Sequence, residues 1–471
     1  MSVAIDGRNS SRRLLGKFRN RLFRTLAASL ALTSALVSSG SAPAQAEQLT
    51  LKVGVSSPTM LSDAKNLNHI RVALTGFAMP GTEARPPVNT SIVIDKSGSM
   101  GGQKIVQARE AAIAAIRRLN DNDIVSVVLY ADSATVLVPA TKATDREAII
   151  EKIRSVNAGG STALFAGVSK GAAEVRKFMN EDSVNRVILL SDGQANVGPQ
   201  SPNELEQLGA SLVKEGISVS TLGLGLGYNE DLMSRLAAAG SGNHIFIERA
   251  QDLMAVFQKE FNDLLSVIAK DFDIRVKVAD GIRPVRVLNS KADISGKEIK
   301  IPLAQLYAQQ ERYFVIEVEV PASESGQTRD LAAVSVKYRN MFSETNDLLQ
   351  NSIQVRFSDD PKKVAKDRDP ETYAYCSIQL ANSLNCMATE LRDAGKVDEA
   401  QKLLRGNTAR LAEVEDSYGA VLPAGLTKEL KRNVSLNKQQ ATIIKDPKQW
   451  AYGRKAMRYE QAKNAAQQQA D

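Results

Sequence analysis

The sequence predicts an α/β fold: a doubly wound, mostly parallel sheet inserted in an antiparallel β-sandwich, with a C-terminal helical segment behind it. Three observations carry this. Between Asn89 and Lys270 short β-branched runs alternate with amphipathic helical stretches, as in a parallel sheet with crossover helices on both faces. From Asp271 to Phe357 the apolar period returns to two, in runs such as R-Y-F-V-I-E-V-E-V and S-I-Q-V-R-F, the mark of half-buried antiparallel strands. The stretch T-S-I-V-I-D-K-S-G-S-M-G, residues 90–101, reads as a buried strand ending at an acid, a hydroxyl-rich loop and the start of a helix. Open α/β sheets bind their ligands at such strand ends.

Residues 1–46 read as an export signal. Seven Lys and Arg stand there against one Asp, so this segment carries +6 of the chain's formal +7. An apolar run from Thr25 to Val37 follows the basic region, and Ala44-Gln45-Ala46 supplies a small-residue cleavage site, with cleavage expected after Ala46. That run falls short of the ~20 residues of a membrane-spanning helix. Ser11-Arg12-Arg13-Leu14-Leu15-Gly16-Lys17 resembles the twin-arginine export motif, so the Sec and twin-arginine routes both stay open. The protein is expected outside the bacterial cytoplasm, periplasmic or secreted. The rest of the chain is near neutral and offers no charge pattern for nucleic acid. Nothing after the leader is apolar enough to cross a bilayer, which argues against a channel.

Residues 47–88 hold two alternating strands, L-T-L-K-V-G-V and H-I-R-V-A-L-T-G-F. Two strands cannot bury a face alone, so they are expected to join those of residues 270–358 and complete the sandwich around an α/β domain at 89–269. Within that domain the strand candidates are Ser91–Ile94, Ile124–Tyr130, Thr135–Val138, Val187–Leu190, Ser218–Gly223 and His244–Ile247. Only a few residues separate the second from the third, so these two should form a hairpin with an antiparallel edge strand. Helices are expected at Lys104–Leu119, Leu164–Phe178, Glu204–Lys214 and Leu253–Ile268. After Pro361 the pattern is helical through residue 446, with Gly395 ending one helix and Asp398 placed to cap the next. Residues 447–471 are rich in Gln and Ala and are expected to be disordered. Cys376 and Cys386 are the two cysteines. Ten helical residues span ~15 Å, beyond bonding reach, so a disulfide needs a break between them; buried thiols are the alternative.

Oxygen ligands dominate the candidate site. Asp95, Ser97 and Ser99 lie on the loop after the first α/β strand, Thr162 on the Gly-rich turn N-A-G-G-S-T-A-L, and Asp192 at the end of L-L-S-D-G. The topology places all three loops at one sheet edge. Carboxylates and hydroxyls are the donors that hard divalent cations prefer, Mg²⁺ above all, with Ca²⁺ or Mn²⁺ as substitutes. By contrast His69 and His244 sit in separate strand patterns, G-L-G-L-G lacks the spacing of a nucleotide loop, and no Ser–His–Asp or Cys–His order emerges. Glu230, Asp231 and Asp182 read as solvated loop acids or as tuning a second site.

Together D-K-S-G-S-M, G-S-T and S-D-G resemble the von Willebrand factor type A domain and its metal-ion-dependent adhesion site, over about residues 89–268. G-L-G-L-G-Y-N-E-D-L-M and G-S-G-N-H-I-F-I resemble the last third of such domains in exported bacterial proteins, among them calcium-activated chloride channel homologues, and in inter-α-trypsin inhibitor heavy chains. The resemblance implies that Ser97, Ser99 and Thr162 bind the cation directly or nearly so, and that Asp95 and Asp192 act directly or through water. It also implies that an acidic side chain of a protein ligand fills the open coordination position. The function expected is therefore an exported, non-enzymatic binding or adhesion protein. The alternative is a cell-envelope structural or assembly factor in which the metal only stabilises the domain. Oligomeric state has no signature in the sequence.

Overall fold

The computed structural model describes residues 48–79, 85–193 and 195–467; the expected export signal lies outside them. Every residue of the strand Val88–Asp95 is buried, because it runs through the middle of a six-stranded sheet covered on both faces. The spatial order is Ala134–Lys142, Ile124–Tyr130, Val88–Asp95, Val184–Ser191, Ile217–Leu224 and Ser241–Ile247. All neighbours are parallel except the first two, which form the expected antiparallel hairpin at one edge. Successive side chains point to opposite faces of a strand. Ile92 and Ile94 accordingly pack with helices Gln103–Ile116 and Leu253–Leu265. Val93, between them, packs with helices Leu164–Arg176, Pro202–Lys214 and Glu230–Ala239. The helix expected to reach Ile268 stops at Leu265, because Val267 and Ile268 open a strand of the sandwich.

That sandwich is assembled from both sides of the inserted domain. Strands Thr50–Val55 and Asn66–Thr75 join Glu311–Val320 and Arg283–Val287 in an antiparallel four-stranded sheet. The facing sheet is built on Val267–Val278, Thr328–Asn340 and Thr345–Ser358. Strand Thr59–Leu61 is added in parallel at its edge. Ile70, Val72 and Leu74 from before the insertion share a core with Ile274, Val276, Phe314, Val334 and Val336 from after it.

Five helices follow: Pro361–Lys366, Pro370–Asp393, Val397–Tyr418, Ala424–Ile443 and Trp450–Ala466. Asp360 and Asp369 cap the first two, each just ahead of a proline at the first helical position. Gly395, at φ +81°, ends the second helix as expected. Asp398 does not cap the third: Lys396 holds that position, and Asp398 lies in the first turn, where its charge suits the helix dipole. Cys376 and Cys386 both sit on the unbroken helix Pro370–Asp393 as free thiols, Cys376 buried. The tail expected to be disordered instead carries the helix Trp450–Ala466. Its buried face is largely polar: Gln461 Nε2 donates to Thr389 Oγ1 at 2.8 Å, while Gln379 Nε2 donates to the Asn464 carbonyl at 2.9 Å. Among the described residues no helix is long and apolar enough to cross a membrane.

A buried ion pair within the α/β domain also reaches the sandwich, through a hydrogen bond to Tyr307. Arg186, on the strand Val184–Ser191, donates to Glu260 at 2.9 Å and to the Tyr307 hydroxyl at 2.7 Å; Asn243 Nδ2 donates to the other Glu260 oxygen at 2.7 Å. Both charged side chains are wholly buried, and Tyr307 belongs to the sandwich strand Gln305–Tyr307. Removing one partner strands the other charge away from water. Glu260→Ala should therefore cost about 3–5 kcal/mol, read as a lower urea midpoint. The double variant Arg186→Met/Glu260→Leu should recover most of that loss.

Candidate metal centre

The five oxygen-bearing residues expected at the site come together at the carboxyl edge of the central sheet. Asp95 ends its strand fully buried. Its Oδ1 accepts the Ser97 backbone N–H at 2.8 Å, which turns the chain sharply after the strand. Its Oδ2 accepts the Ser191 hydroxyl at 2.7 Å and the Tyr130 hydroxyl at 3.3 Å. Asp192 follows the adjacent parallel strand and accepts the Ser99 hydroxyl on Oδ1 at 2.7 Å. The Ser97 and Ser99 hydroxyls lie 3.1 Å apart. Thr162 is buried, and its backbone N–H donates to Asn196 Oδ1 at 2.8 Å.

Gly193 keeps a space open among these groups. A Cβ there would fall 3.2 Å from Thr162 Oγ1, a tight contact, and 3.7 Å from Asp95 Oδ2, an ordinary one, so a side chain would crowd the Thr162 hydroxyl. Burial pushes the Asp95 carboxyl above its usual range, against the hydrogen bonds from Ser97 and Ser191, and neighbouring Asp192 adds to the rise. Two buried carboxylates and three hydroxyls around such a space are a donor set that fits a hard divalent cation. Among the described residues no group of three or more His, Cys, Asp and Glu is arranged to hold a metal, so chemistry of the soft, thiolate or imidazole kind has no corresponding cluster there.

Residues that the sequence reading did not single out complete the edge. Ser191 and Tyr130 orient Asp95, and Asn196 fixes the Thr162 turn. Lys104, in the first turn of helix Gln103–Ile116, pairs with Asp192. Ser191 stood in the S-D-G motif and Tyr130 at the end of a strand; Lys104 carried no signal beyond a polar helix position.

A second loop, residues 225–229, abuts the site: a Cβ at Gly227 would meet the Asp192 carbonyl oxygen at 2.9 Å. The C-terminal helix holds this loop. Lys455, itself buried, donates to the Tyr228 carbonyl at 2.5 Å, lies 4.5 Å from the centre of the Tyr228 ring and pairs with Glu230. Arg454 binds Asp231 at 2.6 Å and Asp393 at 2.9 Å. Glu230 and Asp231 are thus neither solvated acids nor a second site. Burial would raise the Glu230 carboxyl, but Lys455 and Arg454 outweigh it and hold it below the usual range.

The site thus lies at the carboxyl ends of the central strands of a mostly parallel α/β sheet. Residues 90–260 match the von Willebrand factor type A domain, and the chain carries a domain of that family. It is 28% identical over 198 residues to the YfbK protein of Escherichia coli (strain K12), a match covering 42% of this chain and 34% of that one. It is 30% identical over 209 residues to inter-alpha-trypsin inhibitor heavy chain H4 of Homo sapiens, covering 42% of this chain and 22% of that one. The match therefore spans about a third of the first relative's length and a fifth of the second's. Among solved structures, a von Willebrand factor type A protein from Catenulispora acidiphila shares the fold with TM-score 0.65 at 18% identity, over 84% of this chain and 90% of that one.

His244 lies beneath the Tyr228 loop. The Thr221 hydroxyl is spent on the Met233 carbonyl, so it accepts from His244 Nδ1 at 2.9 Å, leaving Nε2 to accept the Tyr228 hydroxyl at 3.4 Å. Burial pushes this histidine down to about 4 from 6.5. As pH falls through that window the unfolded chain takes up a proton that the native protein refuses, so stability is lost. The steepest slope is roughly 1.4 kcal/mol per pH unit. Urea midpoints should fall more between neutral pH and the lower end of this window for the natural protein than for His244→Gln.

Proposed function

We propose that this chain is an exported, non-enzymatic binding protein that captures a protein ligand through a divalent cation at the sheet edge, Mg²⁺ in the first instance. The observation that carries the reading is the convergence of Asp95, Ser97, Ser99, Thr162 and Asp192 around the space that Gly193 leaves open. In this reading Ser97, Ser99 and Thr162 offer hydroxyl ligands, and Asp95 and Asp192 balance the charge directly or through water. The hydrogen bonds from Ser191 and Tyr130 keep Asp95 aimed at the space before any ligand arrives. Once bound, a divalent ion supplies an open coordination position that an acidic side chain of the partner can fill. The surrounding loops would then set which partner fits.

A binding role is also what the chemistry of the edge favours. His244 is committed to Thr221 and Tyr228, and His69 sits against Glu317 on the sandwich, so neither stands beside the hydroxyls as a general base. Residence outside the cytoplasm rests on the basic leader, the apolar run and Ala44-Gln45-Ala46.

Thermal unfolding in Mg²⁺ and in EDTA tests the metal. Binding to the native state alone stabilises it by about 2.7 kcal/mol at a hundredfold excess over Kd. The natural protein should melt higher in Mg²⁺ than in EDTA, and Asp95→Ala should melt at the same temperature in both. Equal melting of the natural protein under the two conditions would overturn the reading.

A further inference from the structure

Asp192 already has a cation beside it. Ser99 donates to its Oδ1, and the Lys104 ammonium pairs with its Oδ2 while lying 3.3 Å from the Ser99 carbonyl. The carboxylate is completely buried, whereas the lysine side chain is about a third exposed. Its aliphatic stem thus reaches from the surface to an otherwise enclosed acid. Nearby Asp95 is a second buried acid, and its two oxygens receive hydrogen bonds from Ser97, Ser191 and Tyr130 but, among the described residues, no charged partner. Among the described residues, Lys104 is therefore the cation paired with Asp192, beside Asp95.

We infer that Lys104 is a tethered counter-cation that occupies Asp192 in the metal-free protein and gives the carboxylate up as the divalent ion enters. The inference rests on the metal-binding reading above and deepens it: metal uptake is an exchange of one cation for another. Two consequences follow from charge alone. The lysine steadies the metal-free edge, where two acids would otherwise repel each other in a low-dielectric setting. It also weakens metal binding, because the incoming ion must break an existing pair and then bear a positive neighbour. Lys104 is a positioning residue for the site, and the opposite signs of these two effects distinguish it from a residue that merely supports the fold. Loss of a purely structural residue lowers stability without tightening a metal site.

The test is calorimetric titration of Mg²⁺ into the full chain, alongside melting in EDTA, for the natural protein, Lys104→Gln, Lys104→Arg and Asp192→Asn. Lys104→Gln, one atom shorter, keeps a hydrogen-bond donor but drops the charge, and it should bind Mg²⁺ roughly three- to tenfold more tightly while melting lower in EDTA. Lys104→Arg, which keeps the charge, should stay near the natural protein in both respects and guards against a folding defect in the Gln variant. Asp192→Asn should lose Mg²⁺ binding. Unchanged or weaker Mg²⁺ affinity in Lys104→Gln would overturn the exchange while leaving the metal site standing. Absence of Mg²⁺ binding in both the natural protein and Lys104→Gln would overturn the metal reading, and the exchange with it.

Discussion

Two carboxylates forced together at the end of a buried sheet are the constraint around which this protein is arranged. Ile94 pairs with Leu190 in parallel register, so the residues that end these neighbouring strands must meet at the same edge. Those residues bring Asp95 and Asp192. Buried acids at such a distance demand compensation, and the neighbourhood supplies it in layers. Hydroxyls from Ser99, Ser191 and Tyr130 and the backbone N–H of Ser97 donate to them, and an ammonium reaches in from Lys104.

Elsewhere, charged side chains are placed where parts of the fold must be held in fixed relation. Arg186, paired with Glu260 inside the inserted domain, reaches Tyr307 of the sandwich, and Lys455 and Arg454 hold the loop beside Asp192 from the C-terminal helix. In each pair desolvation offsets much of the attraction. What the pair supplies is a single permitted arrangement, because a shifted joint would leave a bare charge inside. The loop at the metal edge is thereby connected to a helix more than 200 residues further along the chain.

Most of the fold was legible because its signals are local. The β-branched runs with polar ends, the short link of the hairpin and the return to a period of two each belong to a stretch of a few residues. The five oxygen donors were legible for the same reason, since each stands in a motif whose strand or turn places it at the edge. What escaped had its explanation far away in sequence. The helix Trp450–Ala466 buries Lys455, Gln461 and Asn464, so no apolar period betrays it; Gln461 and Asn464 find partners on Pro370–Asp393, and Lys455 finds its own on Tyr228 and Glu230. Glu230 and Asp231 look like loop acids until Arg454 is placed against them. Asp398 looked like a cap because capping residues and first-turn acids share one chemistry and differ by a position or two.

The route by which the chain enters and leaves the inserted domain bears on force. The strand Val88–Asp95 starts at the end of the sheet opposite Asp95, and the helix Leu253–Leu265 hands over through Ser266 to the sandwich strand Val267–Val278. Lys270 of that strand donates to the Ser183 carbonyl, just ahead of the strand Val184–Ser191, so the sandwich grips the sheet at its amino end. A pull on a ligand bound as proposed would thus load the parallel strands lengthwise, against whole ladders of hydrogen bonds at once. A domain hung from one flexible linker would reorient under tension; this one is clamped by two connections and bears tension as a strut.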